Sequence, residues 1–239
     1  MLWLYFDRTH MRFVIVISTG GSVINQLLYN DFFKTRIHSV VSDRECAAIP
    51  KVEAHGTRTA IIPEPDKAKF SDLVLDYLKQ HTIDYAISFY SKLFVGDILH
   101  EYQDRIINLH PSLLPAFKGL HGFDDAIAYG VCYVGSTIHL IDENMDEGKI
   151  IQQTVCRVDQ TRPIAFTRHR IFEQQCRSLL QVMKWIEDGR LRVNDGRVKV
   201  EGATFMGGEF SPNLDFPEAI ELKVPAPNWL TLNDRVKVS

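Results

Sequence analysis

An amide, an imidazole and a carboxylate on two segments of the chain form its most informative pattern. Asn108 and His110 end a short apolar run that predicts a buried strand, and the prolines that follow predict that the strand stops there. Side chains two residues apart on a strand point to the same side, so Asn108 and His110 can face one cleft. Asp146 lies in an acidic turn after a second predicted strand. Such groups can stabilise a developing oxyanion, carry a proton and orient the proton carrier, which predicts a catalytic cleft.

A glycine-rich turn near the start of the chain predicts a second polar site. Gly20, Gly21 and Ser22 lie between the apolar run 13–17 and a stretch with helical periodicity. The free N–H groups at the start of a helix can hold a phosphate, so this turn is a candidate substrate-binding site. A tight turn without a ligand is the alternative. NAD binding is not expected, because no third spaced glycine follows and Asp43 is the only candidate for the acidic residue of the dinucleotide-binding pattern.

Strands alternate with helices in the first half of the chain, which predicts an α/β fold. The expected architecture is a doubly wound, mostly parallel sheet with helices on both faces and a C-terminal hairpin and irregular extension. Ligands of such folds bind at the carboxyl ends of the strands. Apolar runs predict strands at 13–17, 37–41, 59–62, 84–89 and 106–109, and apolar periodicity predicts helices at 66–80 and 95–102.

The regular alternation of strands and helices ends after Asn108. The pattern predicts a helix at 123–129, strands at 133–140 and 149–158, and a long helix at 164–188 with Gly189 as its C-cap. A hairpin follows, with its turn at 194–196. We therefore expect a catalytic domain over residues 1–192 and a C-terminal hairpin and surface-wrapping tail over residues 193–239.

These motifs resemble those of the folate-dependent formyltransferases. The resemblance extends over roughly residues 11–192 and is nearest to the members that formylate glycinamide ribonucleotide. It implies transfer of a formyl group from 10-formyltetrahydrofolate to the primary amine of a small metabolite. The residues that carry it are Asn-x-His-Pro-Ser-Leu-Leu-Pro at 108–115, Gly-Leu-His at 119–121, Gly-Ser-Thr-Ile-His at 135–139 and Asp-x-Gly at 146–148.

The resemblance implies a role for each catalytic candidate. His110 and Asn108 would stabilise the charge that develops on the formyl oxygen when the amine attacks. Asp146 would orient His110 and help to collect the proton that leaves the amine, with Asp142 as its nearest competitor. Structural roles are expected for the other polar residues of the motifs, namely His121, Ser136, Thr137 and His139.

The folate site is also implied by the resemblance. Backbone groups of Ser91, Lys92, Leu93 and Phe94 and of the loop 141–146, which includes Asp142, would hold the pterin, with apolar contact from Leu93 and Phe94. Lys92 stands where the family has Arg and would meet the carboxylate of the folate's glutamate tail. A solvated surface lysine is the alternative reading of Lys92.

The acceptor site departs from the family pattern. The family has Asn after the serine of the glycine turn, and this chain has Val23. Further positions that hold the ribose align with Phe172 and Gln175, or with Glu173 or Gln174 after a one-residue shift. Loss of polar contacts predicts weak or no activity on glycinamide ribonucleotide and better activity on another amine, such as an amino sugar nucleotide or a hydroxylated ornithine. An ordinary purine-pathway enzyme, a formyltetrahydrofolate hydrolase and a non-catalytic folate-binding module are the alternatives.

Composition excludes several classes of protein. The chain has 239 residues, of which 45% are hydrophobic and 24% charged, as in an ordinary globular protein. A formal charge of −3 and the absence of basic runs argue against nucleic-acid binding. No apolar stretch approaches the roughly 20 residues that a membrane span needs.

Cysteine usage and the N-terminus complete the expectations. The four cysteines are scattered, which predicts buried, reduced thiols in a cytoplasmic protein without a metal site. No secretory signal is expected. The sequence leaves open a homodimer, and it leaves open whether translation begins at Met1 or Met11.

Overall fold

The computed structural model describes residues 10–227, in two compact units. The first unit runs to Asn108 and also includes Ile141–Glu143; the second contains Leu109–Leu140 and the chain from Asn144 onward. Residues 1–9 of the expected catalytic domain and residues 228–239 of the expected tail lie outside the described part of the chain.

Parallel strands form the sheet of the first unit. Their order is β3, β2, β1, β4 and β5, and each neighbouring pair is parallel. Every residue of β1 is fully buried, as expected for a strand covered on both faces. The strands are β1 (Phe13–Ile17), β2 (Ile37–Ser42), β3 (Thr59–Ile61), β4 (Tyr85–Phe89) and β5 (Ile106–His110), whose last two residues belong to the second unit.

Helices cover both faces of this sheet. Val14 and Val16 of β1 pack in one apolar cluster with Phe70 of helix α4 (Lys67–Gln80). Ile17 has the opposite parity on the strand and lies near helix α3 (Ala48–Ala54). The doubly wound α/β fold class predicted from the sequence is therefore confirmed. The other helices of this unit are α1 (Ser22–Leu27), α2 (Asp31–Arg36) and α5 (Asp97–Glu101).

Antiparallel pairing characterises the second unit. Strand β6 (Tyr133–Leu140) pairs with β7 (Ile150–Arg157), and β7 pairs with the short β10 (Phe210–Ser211). Strands β8 (Leu191–Asn194) and β9 (Arg197–Val200) form the predicted hairpin, and its Asp-Gly turn has positive φ at both residues. The helices are α6 (Gly122–Tyr129), α7 (Ile164–Glu187) and α8 (Pro217–Glu221).

Short elements are where the structure differs from the sequence prediction. Helices α2, α3 and α8 and strand β10 were not predicted, because one or two turns of chain show no resolvable periodicity. The helix predicted at 95–102 spans only α5, since Gly96 has a φ of 78° and cannot continue a helix. Long elements agree, and α7 ends before Gly189, whose φ is 63°.

Polar side chains fasten the C-terminal segment to α7. The Asp215 carboxylate accepts hydrogen bonds from Gln181, Trp185 and Arg190. Glu209 binds Gln174 and Arg170, which lie about two and three turns before Gln181 on the same helix. This part of the chain has little apolar pattern, so side-chain hydrogen bonds rather than a hydrophobic face hold it in place.

Candidate active site

His110 ends β5 in a buried position between two hydrogen-bond acceptors. Its side chain is almost completely buried, and its Nε2 lies 2.9 Å from the carbonyl oxygen of Phe117. A carbonyl only accepts, so Nε2 carries a hydrogen and donates it. The other ring nitrogen, Nδ1, lies 3.4 Å from Oδ2 of Asp146. The ring is thereby oriented by a carboxylate, as a general acid or base must be.

Asp146 is the centre of the polar group in the second unit. Its Oδ2 accepts the Gly119 N–H at 2.8 Å, and its Oδ1 lies 3.6 Å from Nε2 of His139. Burial alone raises the pKa of this carboxyl, but interactions with His139, the Gly119 N–H and His110 outweigh burial and lower the pKa below its usual value. Asp146 is therefore an ionised carboxylate at neutral pH.

His139 is the residue whose contact the sequence prediction missed. It is buried, and its Nδ1 lies 3.0 Å from the carbonyl oxygen of Leu140, to which it donates. Each of the two imidazoles therefore binds a backbone carbonyl with one nitrogen and faces Asp146 with the other. The position of His139 and Asp146 on either side of one turn was the available signal. His110, Asp146 and His139 are called the histidine–aspartate cluster below.

Two glycines permit the close approach of the groups in this cluster. A Cβ on Gly148 would lie 1.6 Å from the Leu140 carbonyl oxygen, so only glycine allows this turn against the end of β6. A Cβ on Gly122 would lie 2.6 Å from the Phe117 oxygen and 2.8 Å from Nε2 of His110. The Asp-x-Gly spacing of the sequence motif therefore has a steric cause.

The loop after β5 is held by polar groups of β6 and β7. Thr137 donates from Oγ1 to the Ser112 carbonyl at 2.7 Å and accepts the Leu114 N–H at 3.2 Å. Gln153 donates to the Leu114 carbonyl at 2.9 Å. Thr137 thus satisfies backbone groups, as the sequence indicated. Later in the loop Phe117 has a φ of 54°, a costly conformation that aims its carbonyl at His110.

The remaining catalytic candidates lie in different surroundings. Asn108 is half-buried on β5, in register with Ser88 of β4. Asp142 is half-buried in the segment Ile141–Glu143 of the first unit, whereas Asp146 contacts His110 within the second unit. His121 is exposed at the N-terminal end of α6 and makes no side-chain cap there.

In the first unit, the carboxyl ends of the strands carry a second buried aspartate. Asp43 follows β2, its side chain is 2% exposed, and it forms an ion pair with Arg44. The ammonium of Lys92 lies 3.7 Å from Oδ2 of Asp43 and donates to the Pro65 carbonyl at 2.9 Å. Burial raises the pKa of Asp43, but hydrogen bonds from Arg44 and Ser18 and the nearby charges lower it overall. These partners occupy the carboxylate, which agrees with the absence of a dinucleotide pattern.

The expected folate segment begins directly after β4. The N–H of Ser91 donates to Ser18 Oγ, while no hydrogen bond within residues 10–227 uses the N–H groups of Leu93 and Phe94. Free backbone donors fit a segment that reads the edge of a pterin. Leu93 is half-buried, but Phe94 is 2% exposed and packs beside Tyr90. Packing in the core leaves Phe94 little surface to offer a ligand.

A lysine ammonium group lies beside the glycine turn, and the sequence pattern did not reveal it. Gly21 has a φ of 59° and caps α1, and a Cβ there would lie 2.9 Å from that of Ala48. Gly20 and Ser22 are exposed. Lys51 of α3 donates to the Gly20 carbonyl at 3.2 Å, which places a positive charge beside the turn.

The residues aligned with the ribose contacts are largely engaged within the protein. Val23 lies on the buried face of α1. Phe172 and Gln175 are half-buried on α7. Gln174 donates to the Val155 carbonyl at 3.0 Å. Glu173 lies 3.5 Å from His169 on the same helix.

Residues 10–227 contain neither a metal-binding cluster nor a membrane-spanning helix. No group of three His, Cys, Asp or Glu side chains there is arranged to hold a metal ion. No helix in this range has both the length and the apolar character that a membrane span requires. All four cysteines are free thiols. Cys156 and Cys176 are buried as the sequence predicted, whereas Cys46 is half-buried and Cys132 is exposed.

Comparisons with known proteins agree with the motifs. The formyl transferase family model matches residues 11–183. A phosphoribosylglycinamide formyltransferase of Bacillus subtilis is 29% identical over 181 residues, which cover 72% of this chain and 93% of the relative. One from Mycobacterium tuberculosis is 34% identical over 151 residues, 59% of this chain and 69% of the relative.

A solved structure matches at the level of the fold and the sequence. Glycinamide ribonucleotide transformylase 1 from Symbiobacterium toebii superposes with a TM-score of 0.74 at 28% identity, covering 83% of this chain and 98% of that one. The family match and the α/β fold thus lead to the same assignment. The chain belongs to the formyl transferase family and is an enzyme that takes its formyl group from 10-formyltetrahydrofolate.

Proposed function

We propose that this enzyme formylates the primary amine of a small, phosphate-bearing metabolite, with Asn108, His110 and Asp146 as its catalytic residues. When the amine nitrogen attacks the formyl carbon, negative charge develops on the formyl oxygen. The Asn108 amide donates a hydrogen bond to that oxygen. His110 does the same when its Nε2–H leaves the Phe117 carbonyl, which it binds in the substrate-free protein, and turns to the substrate. The new C–N bond forms as the bond to the folate nitrogen breaks, and the proton lost by the amine passes to the leaving nitrogen. Asp146 assists this proton transfer by binding and orienting His110.

The observation that carries this proposal is the position of Asp146 between two imidazoles. His110 and His139 each donate one ring N–H to a backbone carbonyl. The other ring nitrogen of each histidine faces Asp146 and attracts the carboxylate only when it also carries a proton. The ionised carboxylate therefore faces two ring nitrogens, each of which can accept a proton. Such an arrangement suits a reaction in which a proton moves from one amine to another.

The donor is proposed to bind along Ser91, Lys92, Leu93 and the loop that contains Asp142. Free N–H groups after Lys92 support contact with the pterin edge. Lys92 is partly neutralised by Asp43, so a folate glutamate tail would compete with that carboxylate for the ammonium. Phe94 then acts from the core by supporting this segment rather than by touching the ligand.

Glycinamide ribonucleotide is the leading acceptor. The relatives in Bacillus subtilis and Mycobacterium tuberculosis are named for action on phosphoribosylglycinamide. The exposed turn at Gly20, Gly21 and Ser22, with the Lys51 ammonium beside it, supports binding of a phosphate group. A Lys51 charge at the turn compensates in part for the missing polar side chain at Val23.

A second acceptor class is favoured by the apolar residues at the expected ribose contacts. Val23 and Phe172 offer no side-chain hydrogen bond to a sugar hydroxyl. An amino sugar nucleotide would still use the phosphate turn, whereas a hydroxylated ornithine would not.

We also propose that the catalytic domain corresponds to residues 1–192 and that the remaining chain is a tail without catalytic residues.

Formyl transfer to a panel of amines tests this assignment. The purified chain is mixed with 10-formyltetrahydrofolate and glycinamide ribonucleotide, an amino sugar nucleotide or hydroxyornithine, and the formylated product is measured by mass spectrometry. Efficient formylation of glycinamide ribonucleotide at micromolar concentration supports the leading acceptor, and formylation of another amine alone supports the second class. Consumption of the donor without any amine indicates a hydrolase, and no consumption at all contradicts the proposed function.

A further inference from the structure

A basic cavity lies at the amino ends of β1 and β2, away from the glycine turn, which follows the carboxyl end of β1. Its volume is about 330 Å³, within the range of roughly 300–1,000 Å³ that small-molecule sites occupy. Lys34 and Arg36 line it from the last turn of α2, Arg12 from the residue before β1, and Arg58 from the residue before β3. This cavity is called the amino-end pocket below.

The charge of the amino-end pocket is unbalanced. Four of its lining residues are Lys or Arg, and none of the lining residues within 10–227 is Asp or Glu. The nearby Asp84 accepts the backbone N–H of Arg12 at 2.8 Å and is not part of the lining. Thr57 adds a hydroxyl group, and Gly56 adds open space, because a Cβ there would meet nothing within 4 Å.

His38 lines the same pocket as these positively charged side chains. Nη2 of Arg12 lies 2.9 Å from Nδ1 of His38. Arg12 is the donor of this hydrogen bond, because a guanidinium group has no acceptor atom. Nδ1 of His38 is therefore unprotonated. Burial, together with the charges of Arg12, His81 and Arg58, lowers the pKa of His38 to about 4. Burial first, and the neighbouring positive charges after it, thus disfavour the protonated form of a histidine in the wall of this cavity.

Two of the cations are not committed to contacts within the protein. Arg12 binds His38, and Arg36 packs its guanidinium 3.8 Å over the Phe32 ring. The side chains of Lys34 and Arg58 are exposed and make no hydrogen bond or ion pair within the described part of the chain. Concentrating like charges around a cavity destabilises the fold unless an anion offsets their repulsion.

We propose that the amino-end pocket binds a small molecule through a phosphate or diphosphate group. Guanidinium groups match phosphate oxygens in pairs, and Lys34 adds a point charge. Lys34 and Arg58 favour a doubly charged anion over a single carboxylate, because neither side chain has an anionic partner within residues 10–227. The pocket lies at the opposite end of β1 from the turn proposed for the acceptor, so its occupancy is independent of the proposed reaction.

Isothermal titration with inorganic pyrophosphate tests this site on the full chain. The key variant is Lys34→Gln/Arg58→Gln, because these side chains are exposed and their loss leaves the Arg12–His38 contact in place. The matched control is Arg197→Gln/Lys199→Gln, which removes the same two charges from the exposed β8–β9 hairpin. Thermal melting shows that each variant is folded.

The expected result is saturable pyrophosphate binding that weakens at least about tenfold in Lys34→Gln/Arg58→Gln and changes less than about twofold in the control. If pyrophosphate also binds at the glycine turn, two sites are seen and only one is lost. The proposal is overturned if the wild-type chain shows no saturable binding, or if both double variants weaken binding equally.

Discussion

Two buried aspartates in this protein have opposite kinds of partner. Asp146 contacts two imidazoles and a backbone N–H, whereas Asp43 contacts Arg44 and Lys92. Their side chains are 10% and 2% exposed, and each carboxyl has its pKa lowered because favourable contacts outweigh burial. The two carboxylates therefore resemble each other in burial and ionisation and differ in what surrounds them.

The kind of partner decides whether a carboxylate with little solvent exposure suits proton transfer or only holds the structure together. An imidazole can accept and release a proton, so the partners of Asp146 are of the kind that the proposed proton transfer requires. Arg and Lys are cations around neutral pH, so Asp43 is held in one electrostatic state. Asp43 joins the ends of β2 and β4 through Lys92, while Asp146 connects two titratable rings.

The largest expected effect is the loss of turnover when the histidine–aspartate cluster is broken. Asp146→Asn or His110→Ala should lower kcat/KM for formyl transfer by roughly a thousandfold or more, because charge stabilisation and proton transfer are both impaired. Asp43→Asn should change kcat by less than about tenfold, because its partners do not take part in proton transfer. Steady-state rates with the best amine of the panel provide the measurement. Near-normal turnover of Asp146→Asn would contradict the assignment.

Displacing Asp146 without removing it should have a smaller effect. Gly148→Ala would force its new methyl group against the Leu140 carbonyl and shift the turn that carries Asp146. A displacement of about 1 Å at a catalytic group costs on the order of a hundredfold in rate. Gly207→Ala is the control, since a Cβ there meets nothing within 4 Å. Equal rates for the two variants would show that the position of Asp146 is not critical.

Acid should weaken the fold through both aspartates. A carboxyl whose pKa is lowered by folding stabilises the protein above its unfolded pKa of about 3.9, and this contribution is lost as the pH falls through the folded pKa. We expect Asp43→Asn and Asp146→Asn each to reduce the loss of unfolding free energy between about pH 7 and about pH 3. Urea unfolding at both pH values measures this. A wild-type loss that neither variant reduces would sink the prediction.

The same two variants separate in their pH–rate profiles. Asp146→Asn should alter the pH profile of kcat, because it removes the carboxylate that faces both imidazoles, and Asp43→Asn should leave the shape of that profile unchanged. Rates from about pH 5 to about pH 9 provide the comparison. An identical profile for Asp146→Asn and the wild type would separate Asp146 from the proton transfer.

Removing the Lys51 charge should have the smallest effect. Lys51→Ala should raise KM a few-fold for a phosphate-bearing acceptor and leave kcat nearly unchanged, because an exposed cation contributes uniform binding. Lys199→Ala removes an exposed charge from the hairpin and is the control. A KM unaffected by Lys51→Ala would remove the support that this residue gives to phosphate binding at the glycine turn.

Local signals explain how much of this structure could be predicted. The apolar run at 13–17 and the alternation at 133–140 identified β1 and β6 with their observed bounds. Asn108, His110 and Asp146 are the catalytic candidates because motif spacing marks them, and the structure places His110 beside Asp146. Lys51 and His139 were not recognised, because their partners, Gly20 and Asp146, are reached through the packing of other elements. The contacts of Gln181 with Asp215 were equally invisible, since no apolar period marks them.

By itself, the sequence determined the α/β fold class, the formyl transferase family and the residues most suited to the chemistry. These follow from periodicity and from the order of residue types along the chain, which are properties of neighbours. The tertiary structure alone decided that two imidazoles share Asp146, that Asp43 is bound by cations, and that basic residues from three segments surround one pocket. Such contacts join residues far apart in the chain, and their energies depend on distance and burial, which residue order does not contain.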